Sequence, residues 1–157
     1  MLSNTGNFLL FLNILLSSLI IYSSLKCLKI KNSLIFKNIY QISLLQSTLV
    51  LICFFTLTAA FIVSDFSLIT VYQNSHSLKP LFYKISGTWG NHEGSLLLWV
   101  IILILFSFLC LVFNKNHPKS YRLGTLIIQN ILILGFLFFI LFNSNPFSAV
   151  NPVPTEG

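Results

Sequence analysis

The residues best suited to chemistry lie in the stretch ISGTWGNHEGSLLLW, residues 85–99. It places His92 beside Glu93, and the whole chain has only three acidic residues. A histidine next to a glutamate raises the possibility of a metal-dependent hydrolase. The zincin pattern H-E-x-x-H, however, needs a second histidine one helical turn later. Position 96 is leucine, so the usual zinc pattern is not present and no metal site is predicted.

The ionisable residues also suggest a hydrolase triad and a haem site. Ser95, His92 and Asp65 contain the residue types of a hydrolase triad, but no nucleophile elbow of the G-x-S-x-G kind accompanies them. Histidine is also a common haem ligand. His76 and His117 fall in connections and His92 at a helix start, whereas a buried haem usually needs a histidine inside a span. The sequence therefore predicts no catalytic or cofactor-binding residue in this chain.

Small residues recur in the same stretch at spacings of three and four: Gly87, Gly90 and Gly94. The Gly90-x-x-x-Gly94 spacing lets another backbone come close. We expect Thr88 or Ser86 to cap the following helix. His92 and Glu93 would then lie in its early turns, where the positive end of the helix dipole favours the glutamate anion.

Both tryptophans of the chain belong to this stretch. Trp89 suits a membrane interface and Trp99 lies deeper, as in an ordinary aromatic belt. A belt does not explain the glycines, the histidine and the glutamate together. We therefore hypothesise a contact with another subunit, or a wall of a site on the outer side of a membrane. The candidate residues are Gly87, Trp89, Gly90, His92, Glu93, Gly94 and Trp99.

Composition indicates the elements that must position these residues. The 157-residue chain is 55% hydrophobic and 8% charged, whereas soluble domains carry about 25% charged residues. Four uncharged stretches have roughly the 20 residues that a membrane span needs: 8–25, 42–63, 95–113 and 123–142. The sequence predicts a single all-α membrane domain with about four transmembrane helices and a long outer loop that contains short interfacial helical segments.

The basic residues predict the orientation. They concentrate in the connections 26–41 and 114–122, namely at Lys26, Lys29, Lys31, Lys37, Lys115, Lys119 and Arg122. The positive-inside rule places these connections in the cytoplasm or the mitochondrial matrix. Both termini, the outer loop 64–94 and the tail 143–157 then face the periplasm or the intermembrane space. This distribution explains the net charge of +6, and nucleic-acid binding is not predicted.

The outer segments have their own local signals. We expect 63–72 to continue the second span as a helix or to lie on the membrane surface. Pro80 ends any helix before it, and 81–85 would then lie flat against the bilayer. The prolines of the tail predict an extended coil. Polar side chains within the spans are expected to meet other helices, some of them in partner chains.

The segments 61–100 and 134–157 closely resemble the N-terminal part of the CcmF family, which are membrane proteins of cytochrome c maturation. The strings TWGNHEGSLLLW and SNPF carry the resemblance, and the sequence before Phe61 is generic. A related haem-lyase protein of the nitrite reductase pathway is also similar. The resemblance implies a haem lyase of the System I pathway, which takes haem from a haem-carrying chaperone. The lyase attaches it to the two thiols of a C-x-x-C-H apocytochrome on the outer side.

In the family, the haem-holding WWD segment and the haem histidines belong to a later part. This chain stops at Glu156-Gly157, so no haem ligand can be carried over and its own enzymatic status stays open. We expect a split N-terminal subunit, or a truncated product, that scaffolds the outer site. Haem belongs to the complete complex, in the mitochondrial or alternatively the bacterial inner membrane. The expected partners are a subunit with the WWD segment, the haem chaperone, apocytochrome c and the bilayer. The alternative is a noncatalytic structural subunit of a respiratory or transport complex.

Overall fold

A computed structural model describes residues 2–30, 33–114, 116–154 and 156. These residues form six helices: α1 (Leu2–Ile30), α2 (Ser33–Ile62), α3 (Ile69–Asn74), α4 (Leu81–Gly87), α5 (His92–Phe113) and α6 (Lys119–Asn143). Lys31 and Lys115, which contributed to the orientation prediction, and Gly157 of the tail lie outside the described residues.

Four of these helices, α1, α2, α5 and α6, are long and apolar enough to cross a membrane. The predicted all-α membrane fold with four spans is therefore confirmed. α1 and α2 have 29 and 30 residues, well beyond their uncharged stretches. They extend through polar and basic residues because a helix satisfies its backbone polar groups internally whether or not its side chains are apolar.

The four long helices pack as an antiparallel bundle. α1 lies against α2 and α6, and α5 lies against α6 and α2. One end of the bundle therefore carries the starts of α1 and α5 and the ends of α2 and α6, and we call it the motif end. The opposite end carries Lys26, Lys29, Lys37, Lys119 and Arg122, and we call it the basic end.

The connection after α2 does not continue that helix through 63–72, which was one of the two predictions for this segment. α2 stops at Ile62, and Ser64 adopts the left-handed region with φ of 56°. The Asp65 carboxylate then accepts hydrogen bonds from the Ser67 amide at 3.2 Å and the Ser67 hydroxyl at 2.5 Å. A short acidic side chain that bonds the backbone two residues ahead competes with helical hydrogen bonding. The helix resumes only as α3.

The tail is tied to this connection rather than free. Leu68 and Ala149 form an antiparallel bridge. The Ile69 amide donates to the Ser148 carbonyl at 2.9 Å, and the Val150 amide donates to the Ser67 carbonyl at 2.8 Å. We call residues 144–150 the tail clasp.

The clasp also fastens the start of α1. Phe147 is completely buried, and its carbonyl accepts from the Ser3 hydroxyl at 2.6 Å. The Asn145 side chain accepts from the Phe147 amide at 2.9 Å and donates to the Asn7 side-chain oxygen at 2.7 Å. A Cβ atom on Gly6 would lie 2.1 Å from the Phe147 ring. Glycine at this position is therefore what lets the ring sit against the helix.

A second contact holds the tail at Glu156. Its carboxylate accepts from the Ser77 hydroxyl and from the Ser77 amide at 3.2 Å, and it lies 3.3 Å from Nε2 of His76. The bond from the Ser77 hydroxyl has the largest effect and lowers the pKa of Glu156. Desolvation comes next and raises it, while the Ser77 amide and the nearby His76 and Lys84 lower it further.

We predict that replacing Gly6 by alanine weakens the fold. The new methyl group must displace the buried Phe147 ring, which costs about 1–3 kcal/mol for overpacking. The measurement is the midpoint of thermal unfolding in detergent. The matched control is Gly124→Ala in α6, where nothing lies within 4 Å of the added Cβ and helix propensity favours alanine by up to ~1 kcal/mol. Equal unfolding midpoints for Gly6→Ala and Gly124→Ala would contradict the buried contact between Phe147 and Gly6.

The Glu156 contact predicts a pH-dependent tail. Because the folded pKa lies below the ordinary glutamate value of about 4.3, the stabilising contribution is present above that value. It is lost as the pH falls through the lowered folded pKa. The Ser77 amide resonance should titrate with that lowered pKa, measured by NMR in micelles. Glu156→Gln should abolish the titration, and an unchanged titration in that variant would assign it to another group.

Candidate functional site

The candidate residues form a tight corner between α4 and α5 at the motif end. α4 ends at Gly87, and the chain continues with helix-like turns. The amides of Trp89 and Gly90 both donate to the Ser86 carbonyl, at 3.3 Å and 3.0 Å. The Ser95 hydroxyl reaches back from α5 to the Trp89 carbonyl at 2.7 Å. The short turn is therefore bonded to the helix on each side of it.

Asn91 joins the two helices and was missed by the sequence prediction. Its side-chain oxygen caps α5 by accepting from the Gly94 amide at 2.7 Å. Its side-chain nitrogen donates to the Gly87 carbonyl at 2.7 Å and the Thr88 carbonyl at 3.4 Å. The prediction of Thr88 or Ser86 as the cap was wrong because α5 begins at His92. Asparagine is a preferred capping residue, and its place just before the histidine was the available signal.

The three glycines allow close approaches within this chain. A Cβ on Gly94 would lie 1.7 Å from the Thr88 carbonyl oxygen. A Cβ on Gly90 would lie 3.1 Å from the Ser86 carbonyl oxygen, and one on Gly87 would lie 3.2 Å from the Phe61 ring at the end of α2. Within this chain, the backbone that Gly94 admits is thus that of the preceding turn.

A cleft opens beside the corner, between α3 and α4. We call it the motif cleft, and it is lined by Asn74, Lys79, Tyr83, Ser86, Gly87, Trp89 and Gly90. The ammonium of Lys79 donates to the Asn74 carbonyl at 2.8 Å, and Tyr83 and Trp89 are exposed. Two aromatic rings and one cation suit a flat apolar group that carries negative charge, because aromatic faces take apolar surface and lysine takes an anion.

His92 and Glu93 belong to the same corner but are not among the residues that line the cleft. Nδ1 of His92, an exposed residue, lies 3.4 Å from the Ser144 hydroxyl at the end of α6. Glu93 is half-buried in the first turn of α5. Within the described parts of the chain, no hydrogen bond or ion pair engages its carboxylate, whereas Asp65 and Glu156 are both bonded to serines. Glu93 is therefore available to a group outside this structure.

Trp99 does not join the other candidate residues. It is 60% exposed on α5, about two turns below the corner at 3.6 residues per turn. The structure therefore gathers the glycines, Trp89, His92 and Glu93 around one corner. Trp99 lies apart from them, exposed on the lateral surface of the bundle.

Among the residues described, no three of the types histidine, cysteine, aspartate and glutamate come together in a group that could hold a metal ion. The histidines lie apart from one another. His76 contacts Glu156, and the ring of His117 packs 5.0 Å from that of Tyr121 near the basic end.

Known proteins resemble this chain in both sequence and fold. It is 50% identical over 109 residues to the cytochrome c-type biogenesis protein CycK of Rhizobium meliloti, covering 69% of this chain and 16% of that protein. It is 43% identical over 105 residues to the cytochrome c-type biogenesis protein CcmF of Escherichia coli, covering 66% of this chain and 16% of that protein. This chain belongs to the CcmF family. No protein-family model matches it.

The fold comparison covers more of the chain than the sequence comparisons. A solved structure titled cytochrome c heme lyase CcmF superimposes with a TM-score of 0.86 over 97% of this chain and 26% of that one. At 22% identity, this match supports the fold. The matched segments of this chain span about one sixth of the length of these two relatives.

We predict that Asn91 variants separate its two roles. Asn91→Asp keeps the acceptor for the Gly94 amide but loses the donors to the Gly87 and Thr88 carbonyls, whereas Asn91→Ala loses both. The alanine variant should lose about 0.5–2 kcal/mol from the cap alone, and the aspartate variant should fall between it and the parent. Thermal unfolding in detergent ranks the three proteins. Equal losses in the two variants would show that the amide donors carry the whole effect.

Proposed function

We propose that this chain forms one wall of the site at which a CcmF-type haem lyase attaches haem to apocytochrome c. The observation that carries the proposal is the motif cleft, placed beside an unpaired Glu93 on a corner fixed by Asn91. The relatives of this chain are named cytochrome c-type biogenesis proteins, which supports a role in cytochrome c maturation. The chain acts as a scaffold in this proposal, and the rest of the CcmF-type assembly completes the site.

The residues of the motif cleft fit the edge of a haem. Haem, the substrate of the lyase, is flat and apolar with two carboxylates at one edge. Tyr83 and Trp89 offer apolar ring surface, and Lys79 offers a cation for a carboxylate. The lining residues of the cleft include no histidine, so in this proposal the iron ligands come from elsewhere in the assembly. The role of the cleft is to position and shield the haem edge.

The proposed orientation puts the motif end on the outer side of the membrane. The basic end carries the lysines and the arginine, and such residues stay in the cytoplasm or matrix. The motif end then faces the periplasm or the intermembrane space, in a bacterial or mitochondrial inner membrane. Both ends of the described chain meet there, as the contact between Ser3 and Phe147 indicates.

The partners in this proposal are the CcmF part with the WWD segment, the haem chaperone and apocytochrome c. A groove between α5 and α6 offers a place for a further transmembrane helix of that assembly: it is lined by Leu96, Ile131, Leu132, Gly135, Phe136 and Phe139. Nothing lies within 4 Å of a Cβ built on Gly135. Small residues at such a position let a second helix come close.

We predict that the double variant His92→Ala/Glu93→Ala lowers the yield of holocytochrome c several-fold while leaving the amount of this chain unchanged. The two side chains make one 3.4 Å contact within the described structure, so their loss should cost little stability. The measurement is covalent haem in c-type cytochromes, by haem staining against total apocytochrome, in cells that depend on this chain. His117→Ala is the control, because that histidine lies near the basic end.

Copurification distinguishes this function from the alternative. Haem chaperone and apocytochrome recovered with the tagged chain support a role in the lyase. Recovery of respiratory or transport subunits instead, together with normal holocytochrome c in the double variant, would favour a noncatalytic structural subunit and overturn the proposal.

A further inference from the structure

The core of the bundle is divided into two apolar clusters. One includes Leu10, Val50, Ile104 and Ile133 and lies toward the motif end. The other includes Ile20, Ile39, Leu111, Leu123 and Leu126 and lies toward the basic end. A continuous apolar core would be expected from burial of hydrophobic side chains alone.

Buried polar side chains separate the two clusters on every long helix. We call them the polar layer: Ser17 on α1, Ser43, Gln46 and Ser47 on α2, Ser107 on α5 and Asn130 on α6, with Asn13 one turn from Ser17. Each is at most 5% exposed. Ser17, Ser43, Gln46, Ser47, Ser107 and Asn130 each fall between the members of the two clusters on their own helix, so the layer crosses the bundle near mid-depth. Asn13 lies one turn from Ser17, between Leu10 and Ile14 of the motif-end cluster.

Direct hydrogen bonds connect neighbouring helices within the layer. The Gln46 side-chain nitrogen donates to the Ser17 hydroxyl at 2.6 Å and joins α2 to α1. The Asn130 side-chain nitrogen donates to the Ser107 hydroxyl at 3.4 Å and joins α6 to α5. Such bonds in place of apolar packing help to fix which residues of the four helices stand opposite one another.

Three oxygens of the layer accept no hydrogen bond from any described residue: Oδ1 of Asn13, Oδ1 of Asn130 and Oγ of Ser43. Exchanging the oxygen and nitrogen positions in the side-chain amides of Asn13 and Asn130 does not remove the unpaired acceptors. The nitrogen of Asn13 already donates to the Leu9 carbonyl at 2.8 Å, and that of Asn130 donates to the Leu126 carbonyl at 2.9 Å. A reversed amide would set an oxygen against each carbonyl. A buried oxygen without a donor costs free energy, so a donor from outside the chain would stabilise all three.

We propose that the polar layer is an internal water-binding site in the middle of the bundle. The layer is too deeply buried for a side chain of another subunit to reach it. Water is the smallest donor, and it can donate to two acceptors at once while accepting from a hydroxyl. Buried water typically makes about three such bonds to otherwise unpaired polar groups. The bound water holds the four helices in register across an otherwise apolar span.

Water-edited solid-state NMR tests the proposal on the full chain in lipid bilayers, with labelled asparagine and leucine. Magnetisation from water should reach the side chains of Asn13 and Asn130 several-fold faster than the methyl groups of Leu10 and Leu137. Those leucines are buried in the same bundle and serve as the dry control. If magnetisation from water reaches the two asparagine side chains no faster than it reaches the leucine methyl groups, the proposal is overturned.

Two further measurements identify what is bound. Asn130→Leu should slow the transfer to Asn13, because it removes one of the polar groups that hold the water. If this variant does not fold, Ser107→Ala tests the same point through the neighbouring layer residue. The second measurement repeats the experiment in a buffer whose sodium and potassium ions are replaced by choline. If magnetisation transfer to the two asparagines is then lost, the site binds a cation and the proposal is overturned.

Discussion

The need to satisfy every polar group without help from lipid governs this structure. In hydrocarbon an unpaired backbone group costs several kcal/mol, so a chain of this composition can cross only as complete helices. The same need acts on side chains. The exposed hydroxyls of Thr48 and Thr56 donate to the carbonyls of Leu44 and Ile52 in the preceding turn, at 3.0 Å and 2.8 Å. Much of the polarity that suggested partner chains is thus satisfied within single helices.

The same constraint concentrates irregular backbone at the motif end. The long connection, the α4–α5 corner and the tail all lie where their amides and carbonyls can meet water or one another. There Asp65 bonds within the loop and Asn91 within the corner, whereas the clasp bonds through Phe147 to the start of α1. A surface built this way is fixed by the fold before any partner arrives. A fixed surface is what a positioning role requires, since loosely held groups orient a substrate poorly.

The sequence predicted the spans because hydropathy is a property of each segment alone. It also located the motif, through the resemblance of its string to a known family. It failed wherever one segment depends on a distant one. The bridge between Leu68 and Ala149 and the packing of Phe147 against Gly6 join residues far apart in the chain. Asn91 was missed for a different reason, since several nearby residues were plausible caps and only the observed start of α5 chooses among them.

The three acidic residues show how structure changes the interpretation of a rare residue type. Asp65 shapes the turn after α2, and Glu156 ties the tail to Ser77, so both act within the chain. Glu93 alone stays without a partner among the described residues, although it shares the motif end with them. The amide groups at the start of α5 form the positive end of the helix dipole, which favours an anion at this position. Among the acidic residues of the described chain, the half-buried carboxylate of Glu93 is therefore the one most open to a contact from outside it.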